Sequence, residues 1–330
     1  NIGTASIVCN NWNDLLQNLV NASGSSLYLS KKNVYGNSAD QPAPSANVSS
    51  TQYAITELPY TLTSAGTQPQ CLDLSLLPDV EIVIQFAPSY VLCQTASTTG
   101  ADYALTDIYG SLDIYSFNDM TFYNEMVQLK LSTEGSIDVP FKHYQVFQRT
   151  YMGSIPFYFA SQSLDMVLFT TKPSNYSSSG VAVSNGQSNY FKFADRVDGS
   201  NYIDTLQMTI NGTNTPAWAL DSSTRAYVYT LNQLNAHDDL LKYSLMNYIS
   251  STGNPASTNL SAYQNNNYVV AWNVSANDPE LISGIDTRGS AINMEIRSTA
   301  VGSVTNLCEV FCLATGVIKV YPGRLADVVF

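Results

Sequence analysis

The chain has 330 residues, enough for a large core and, at roughly 100 to 200 residues per domain, for about two domains. Only 12% of residues are charged, against roughly 25% in an average soluble protein, while 45% are hydrophobic and 11% aromatic; this excludes a disordered chain and leaves amides and hydroxyls to hold the surface in water. The formal charge of −12, with no basic run longer than Lys31-Lys32, excludes direct contact with a phosphate backbone, which needs clustered Lys and Arg.

In chain order, the first clear signal is the alternation Val80-Glu81-Ile82-Val83-Ile84-Gln85-Phe86, which predicts a half-buried strand with Val80, Ile82, Ile84 and Phe86 on one face. Residues 112–117 and 126–131 follow as strands, with Glu134-Gly135 as a turn. The stretch from Pro140 to Pro156 separates one set of strands from another, and it places a domain boundary near residue 150. The expected division is therefore 1–150 and 151–330. Beyond it, residues 164–170 read as a strand and 174–189 as a long polar loop. Residues 204–210 alternate again, with Leu206, Met208 and Ile210 inward, and end at the turn former Asn211-Gly212.

One segment departs from period two. Ser222-Ser223 are good helix N-caps, and Leu231, Leu234, Leu241, Leu245, Met246 and Ile249 suit one or two amphipathic helices between Thr224 and about Tyr248. Strands return at 269–274, at Ile292, Met294 and Ile296, at 307–313 and at 317–321, closed by the turn Pro322-Gly323. Many short strands joined by both tight turns and long loops predict an all-β chain of sandwiches or jelly rolls.

Chemistry is scarce. The two histidines, His143 and His237, leave acid/base catalysis and metal ligation short of their commonest side chain. His237-Asp238-Asp239 could be imagined as a metal cluster, but adjacent helical residues point apart and no partner stands at ligand spacing. Cys308 and Cys312, on one face of a strand, lie about 13 Å apart at roughly 3.3 Å per residue, too far for a disulfide or a shared zinc. They read as core thiols, and the five cysteines together as free thiols in a reducing compartment. No nucleophile elbow, phosphate loop, dinucleotide fingerprint or zincin helix occurs, so the chain predicts no catalytic, cofactor-binding or metal site, and hence no enzyme. The 22 tyrosines fit either subunit interfaces or ordinary strand faces, with a carbohydrate platform a third reading. Sequons such as Asn21, Asn47, Asn175, Asn211 and Asn259 do not establish secretion in so Asn-rich a chain. No apolar stretch approaches the roughly 20 residues that span a bilayer, and no signal segment opens the chain, which reads as soluble; it begins at Asn1 rather than Met, so residues are expected upstream.

The order of segments then carries a resemblance. Leu206-Gln-Met-Thr-Ile-Asn-Gly-Thr-Asn-Thr-Pro216, followed by the helical Ala226-Tyr-Val-Tyr-Thr-Leu231, resembles the second barrel of double jelly-roll major capsid proteins of the polinton-like virus, virophage and adenovirus-type lineage. Ser161-Gln-Ser-Leu-Asp-Met-Val-Leu-Phe-Thr-Thr171 looks like the strand opening that barrel's core, and Ile282-Ser-Gly-Ile-Asp-Thr-Arg-Gly-Ser-Ala-Ile292 with the strands to Phe330 resembles the family's C-terminal end. The resemblance implies two tandem eight-stranded jelly rolls, with a short helical insertion in the second. It also implies a homotrimeric, pseudo-hexagonal capsomer with low towers, tiling an icosahedral DNA-virus shell. The implied partners are other copies, penton and minor capsid proteins; an internal membrane or cement protein stays open. The implied location is the virion, assembled in a reducing host compartment. A single-jelly-roll capsid or penton protein, and a secreted carbohydrate-binding β-sandwich adhesin, are the competing readings.

Overall fold

The computed structural model describes residues 2, 7–8, 64–65, 68–69, 73–86, 104–110, 116, 118–173, 193–234, 263–265, 268–276, 282–289 and 293–330. Two short strands, β1 (Ser64–Ala65) and β2 (Gln68–Pro69), pair with each other ahead of helix α1 (Met120–Glu134). From there on the described chain is almost all strand: β3 (Ile137–Thr150), β4 (Ser154–Phe157), β5 (Leu164–Lys172), β6 (Tyr202–Ile210) and β7 (Thr213–Leu220), then helix α2 (Ser223–Gln233), β8 (Val270–Asn273), β9 (Met294–Val301), β10 (Leu307–Tyr321) and β11 (Leu325–Val329).

These strands form two antiparallel sheets. In the first, β10 pairs with β3 along one edge over fourteen residues, from Leu307↔Thr150 to Val320↔Ile137. Its other edge is shared, with β5 along Leu307–Ala314 and β11 along Val317–Tyr321, and β8 lies beyond β5. The second sheet runs β4-β9-β6-β7. Counting β3 to β10 as strands one to eight, the sheets read 1-8-3-6 and 2-7-4-5, which is the strand order of a jelly roll. Ile155, Phe157, Leu206, Met208, Met294 and Ile296 from one sheet meet Val167, Phe169, Trp272, Val310 and Cys312 from the other in a single core. α2 joins the sixth-position strand β8 to β7 and is the helical insertion expected from sequence.

Local chemistry explains the elements. The β6–β7 hairpin turns at Asn211 and Gly212, both at positive φ (51° and 76°), the backbone that a two-residue hairpin needs. Leu206 and Met208 alternate inward as expected, and Ile203 joins them three residues before Leu206 because the β6–β9 register shifts between Ile203 and Thr205. α2 starts at Ser222, whose side chain accepts from the Arg225 N–H. α2 also covers the outer edge of β8: the Thr230 hydroxyl accepts from the Ala271 N–H and the Gln233 side chain from the Asn273 N–H. The rest of the expected helical stretch, 235–248, lies outside the described residues, as do most of 112–117 and the 174–189 loop.

Three expectations are corrected. Residues 126–131, read as a strand, lie inside α1. Asp119 caps its start by accepting from the Thr121 and Phe122 N–H groups, and Gly135, at φ 78°, ends it with a bond to the Leu131 carbonyl. Val127 and Leu131, four apart, are its buried pair, so the apparent period two of Val127, Leu129 and Leu131 is accidental. Residues 81–86, read as a half-buried strand, join no strand among the described residues; Val80 alone bridges to Ile2, and Ile82, Val83, Ile84 and Phe86 are all exposed. Alternation provides an apolar face but not a neighbouring strand to bond with. Residues 307–313 and 317–321, read as two strands, are the one strand β10. The apparent break at Gly316 is a packing feature: a Cβ there would come within 2.9 Å of the Phe141 ring. Pro140 and Pro156 likewise lie within β3 and β4. The expected division near residue 150 falls between these strands, and the pairing of β3 with β10 ties 137–150 to the sandwich that follows.

Candidate assembly surface

The titratable groups expected to be inert are held by the core. His143, on β3 opposite Ala314, is 6% exposed among the rings of Phe141, Phe159 and Phe330, with centroids 5.6, 5.5 and 4.9 Å away. Neither ring nitrogen has a hydrogen-bond partner among the described residues. Burial lowers its pKa to about 4, with nearby Asp165 opposing the shift and Lys142 adding to it. Cys308 and Cys312 are buried free thiols facing the core, and burial pushes both thiol pKa values up, which makes them poor nucleophiles. His237, Asp238 and Asp239 lie outside the described residues; among those described, no group of three metal-ligating side chains converges and no helix is long and apolar enough to cross a membrane.

Sequence reading missed the buried polar clusters that lock the first sheet. Lys172 on β5 and Glu309 on β10, both fully buried, lie 3.4 Å apart; Gln148 on β3 donates to Glu309 Oε1 at 2.7 Å, and the ammonium sits 5.1 Å from the centre of the Phe193 ring. Lys142 Nζ donates to Asp165 Oδ2 and to Thr315 Oγ1, each at 2.6 Å, and Ser163 Oγ donates to Asp165 Oδ1 at 2.8 Å. Each cluster crosses three elements, and its members are far apart in sequence. A third group pins the start of α2, where Ser223 Oγ and Arg196 donate to buried Asp195; burial raises the Asp195 pKa while these two partners lower it. These are closed arrangements with their carboxylates already bonded.

The surface is more informative. The outward face of the second sheet is rich in hydroxyls and amides around the Glu295–Arg297 ion pair: Thr205 and Thr299 meet at 2.6 Å, Ser154 donates to Glu295 at 2.6 Å, and Gln207 donates to the Pro216 carbonyl at 3.0 Å. Its two edge strands each carry a proline, Pro156 in β4 and Pro216 in β7, which removes an edge N–H. On β7, Trp218 is half exposed and meets Tyr229 of α2 edge-on at 6.0 Å. With Thr224, Arg225, Val228 and Asn232 they line a groove of about 570 Å³. Burial raises the Tyr229 pKa to about 12. At the opposite edge, Met152 and Tyr158 flank β4 with half their surface exposed. α1 presents Phe122, Met126 and Leu129 to solvent on the side away from Val127 and Leu131.

No protein-family model matches the chain, and no curated protein matches it. Among solved structures it is similar to a quasi-atomic model of the PBCV-1 virus capsid (9% identity, 59% of this chain and 52% of that one, TM-score 0.36). It is also similar to PBCV-1 VP54 fitted into a reconstruction of the virophage Sputnik (9%, 64% and 54%, TM-score 0.38) and to the Sputnik virophage structure itself (12%, 58% and 38%, TM-score 0.32). The chain spans about half or less of each of those chains.

Proposed function

We propose that this chain is a non-enzymatic major capsid subunit, built of two tandem jelly rolls, that forms homotrimeric pseudo-hexagonal capsomers in the icosahedral shell of a DNA virus. The observation that carries the reading is the 1-8-3-6 and 2-7-4-5 strand order with a helix between β7 and β8, the element at the place where the sequence resembles the second barrel of that family. The first barrel would be formed from the residues ahead of Ile137, with the division between barrels at or before that strand. The hydroxyl-and-amide face and the proline-blunted edges suit a subunit that meets copies of itself through wet side-chain contacts. Penton and minor capsid proteins would be its further partners, the virion its location, and a reducing compartment its place of assembly. The net charge leaves the genome to another component.

The runner-up is a capsid protein with one jelly roll, favoured by the single complete barrel among the described residues. Native mass spectrometry of the purified chain at micromolar concentration tests the proposal: a trimer is expected, and a stable monomer overturns it. A cryo-EM reconstruction of that trimer would resolve six barrels; three would establish the runner-up instead.

A further inference from the structure

Among the described residues, the edges of the two sheets are closed against a further strand at every place but one. β4 and β7 carry Pro156 and Pro216, α2 takes the Ala271 and Asn273 N–H groups of β8, and β11 is only five residues long. β3 is the exception. It pairs with β10 on one side and with no described strand on the other, and its one proline, Pro140, lies near its start. The far half of this edge, 145–150, is open: Gln145, Gln148, Arg149 and Thr150 are exposed, while half-buried Val146 and Phe147 flank it, one on each face of the sheet. Unpaired main-chain groups between apolar side chains make a seat for one more strand. The strand that fits it is apolar on both faces. Residues 82–86 have that character: Ile82, Val83, Ile84 and Phe86 are each at least half exposed, in a segment free of proline and charge that joins no strand among the described residues. The flanking charges are complementary, with Asp79 and Glu81 ahead of 82–86 and Arg149, which has no acidic partner among the described residues, at the end of β3. Within one chain the two segments do not reach each other. Leu77 and Val80 pack with Ile137, Val139 and Phe141 at the opposite end of β3. From Val139 to Phe147 is about 26 Å of strand at ~3.3 Å per residue, whereas the chain from Val80 to Ile84 reaches at most ~14 Å.

We infer that residues 82–86 of one copy add as a strand to the 145–150 edge of β3 in a second copy of this chain. The inference rests on the capsid reading and deepens it: 82–86 lies in the proposed first barrel and β3 in the second, so this head-to-tail seam sets the first barrel of one subunit beside the second barrel of its neighbour, the alternation that a ring of three two-barrel chains requires. Its test replaces Val83 by the photo-cross-linker p-benzoylphenylalanine in isotope-labelled full chain, mixes this with unlabelled chain, irradiates, and maps the products by mass spectrometry. The expected product joins position 83 of a labelled chain to a peptide containing 145–150 of an unlabelled one. Hydrogen exchange reads the same seam: alternate amides of 145–150 are expected to exchange about tenfold more slowly, or slower still, in the assembly than in the diluted monomer. Val83→Pro, at a position 74% exposed, is expected to abolish that protection and to raise the concentration at which the assembly dissociates about tenfold or more, with the far-UV spectrum unchanged. A trimer in which the link maps elsewhere or within one chain, or in which Val83→Pro leaves protection and dissociation as they were, overturns the inference and spares the capsid reading. A closed dimer carrying the expected link upholds the seam and overturns the capsid reading. A chain that stays monomeric throughout overturns both.

Discussion

His143 should make the protein acid-sensitive in a defined window. In the unfolded chain its imidazole takes up a proton near pH 6.5, whereas in the folded chain burial among Phe141, Phe159 and Phe330 delays this to about pH 4. Between these values the unfolded state binds more protons than the native one, so the contribution of neutral His143 is complete above pH 6.5 and is lost as pH falls toward 4. At ~1.4 kcal/mol per pH unit, the loss by pH 5 is roughly 2 kcal/mol, and it reaches roughly 3 kcal/mol at about pH 4. His143→Phe provides the control. The site is already aromatic, and no hydrogen bond among the described residues is forfeited, because neither ring nitrogen makes one there. Urea unfolding of both proteins at pH 7.5 and pH 5.0, followed by tryptophan fluorescence, isolates the effect, since every other titrating group is common to the two and cancels. The variant is expected to gain roughly 2 kcal/mol on the parent as the pH is lowered. Equal slopes with pH in the two proteins would refute the burial argument.

The Lys172–Glu309 pair gives a second prediction: Lys172→Met alone leaves a fully buried carboxylate without its ammonium and should cost about 3–5 kcal/mol, whereas Lys172→Met with Glu309→Leu should recover most of that loss. A double-mutant cycle by chemical denaturation checks it, and a double variant no more stable than the single sinks it. At Gly284 an added Cβ would collide with the Leu164 carbonyl and lie 2.6 Å from Asp165 Oδ1. Gly284→Ala should therefore destabilise by about 1–3 kcal/mol, through the Leu164–Ile285 backbone bonds and the Ser163–Asp165 contact. The thermal midpoint of that variant reads the effect, and an unchanged midpoint would contradict it.

What the sequence made legible was periodic and local. Leu206, Met208 and Ile210, the Asn211-Gly212 turn and the Ser222 cap are short-range signals, and each sits where its chemistry requires. α1 escaped because its caps, Asp119 and Gly135, flank a segment in which Val127, Leu129 and Leu131 imitate a strand, although Leu129 is exposed. The polar clusters escaped for a different reason. Gln148 and Glu309 are 161 positions apart and Lys142 and Thr315 are 173 apart, so they become neighbours only through the β3–β10 pairing. The same holds for the Trp218 groove, which exists only because α2 folds back beside β7.

The two sheets differ in a way that explains the low charge of the chain. β5 and β10 are buried on both faces: Val167, Phe169, Val310 and Cys312 face the sandwich core, while Leu168 and Phe311 face a second apolar cluster. Strands covered on both sides need little charge to stay in solution, and Lys172 and Glu309, the ions fully buried there, are paired with each other. The other sheet turns threonines, a serine and a glutamine outward around one ion pair, Glu295 with Arg297. Such groups lose less on dehydration than charges do and bond readily to a partner's amides or to trapped water. The protection against strand-to-strand aggregation is instead steric: Pro156 and Pro216 on one sheet, and α2 over the β8 edge of the other. A surface that resists sheet extension at those edges yet is inexpensive to dehydrate fits a subunit whose neighbours are copies of itself, and it locates the contacts there in side chains rather than in the main chain.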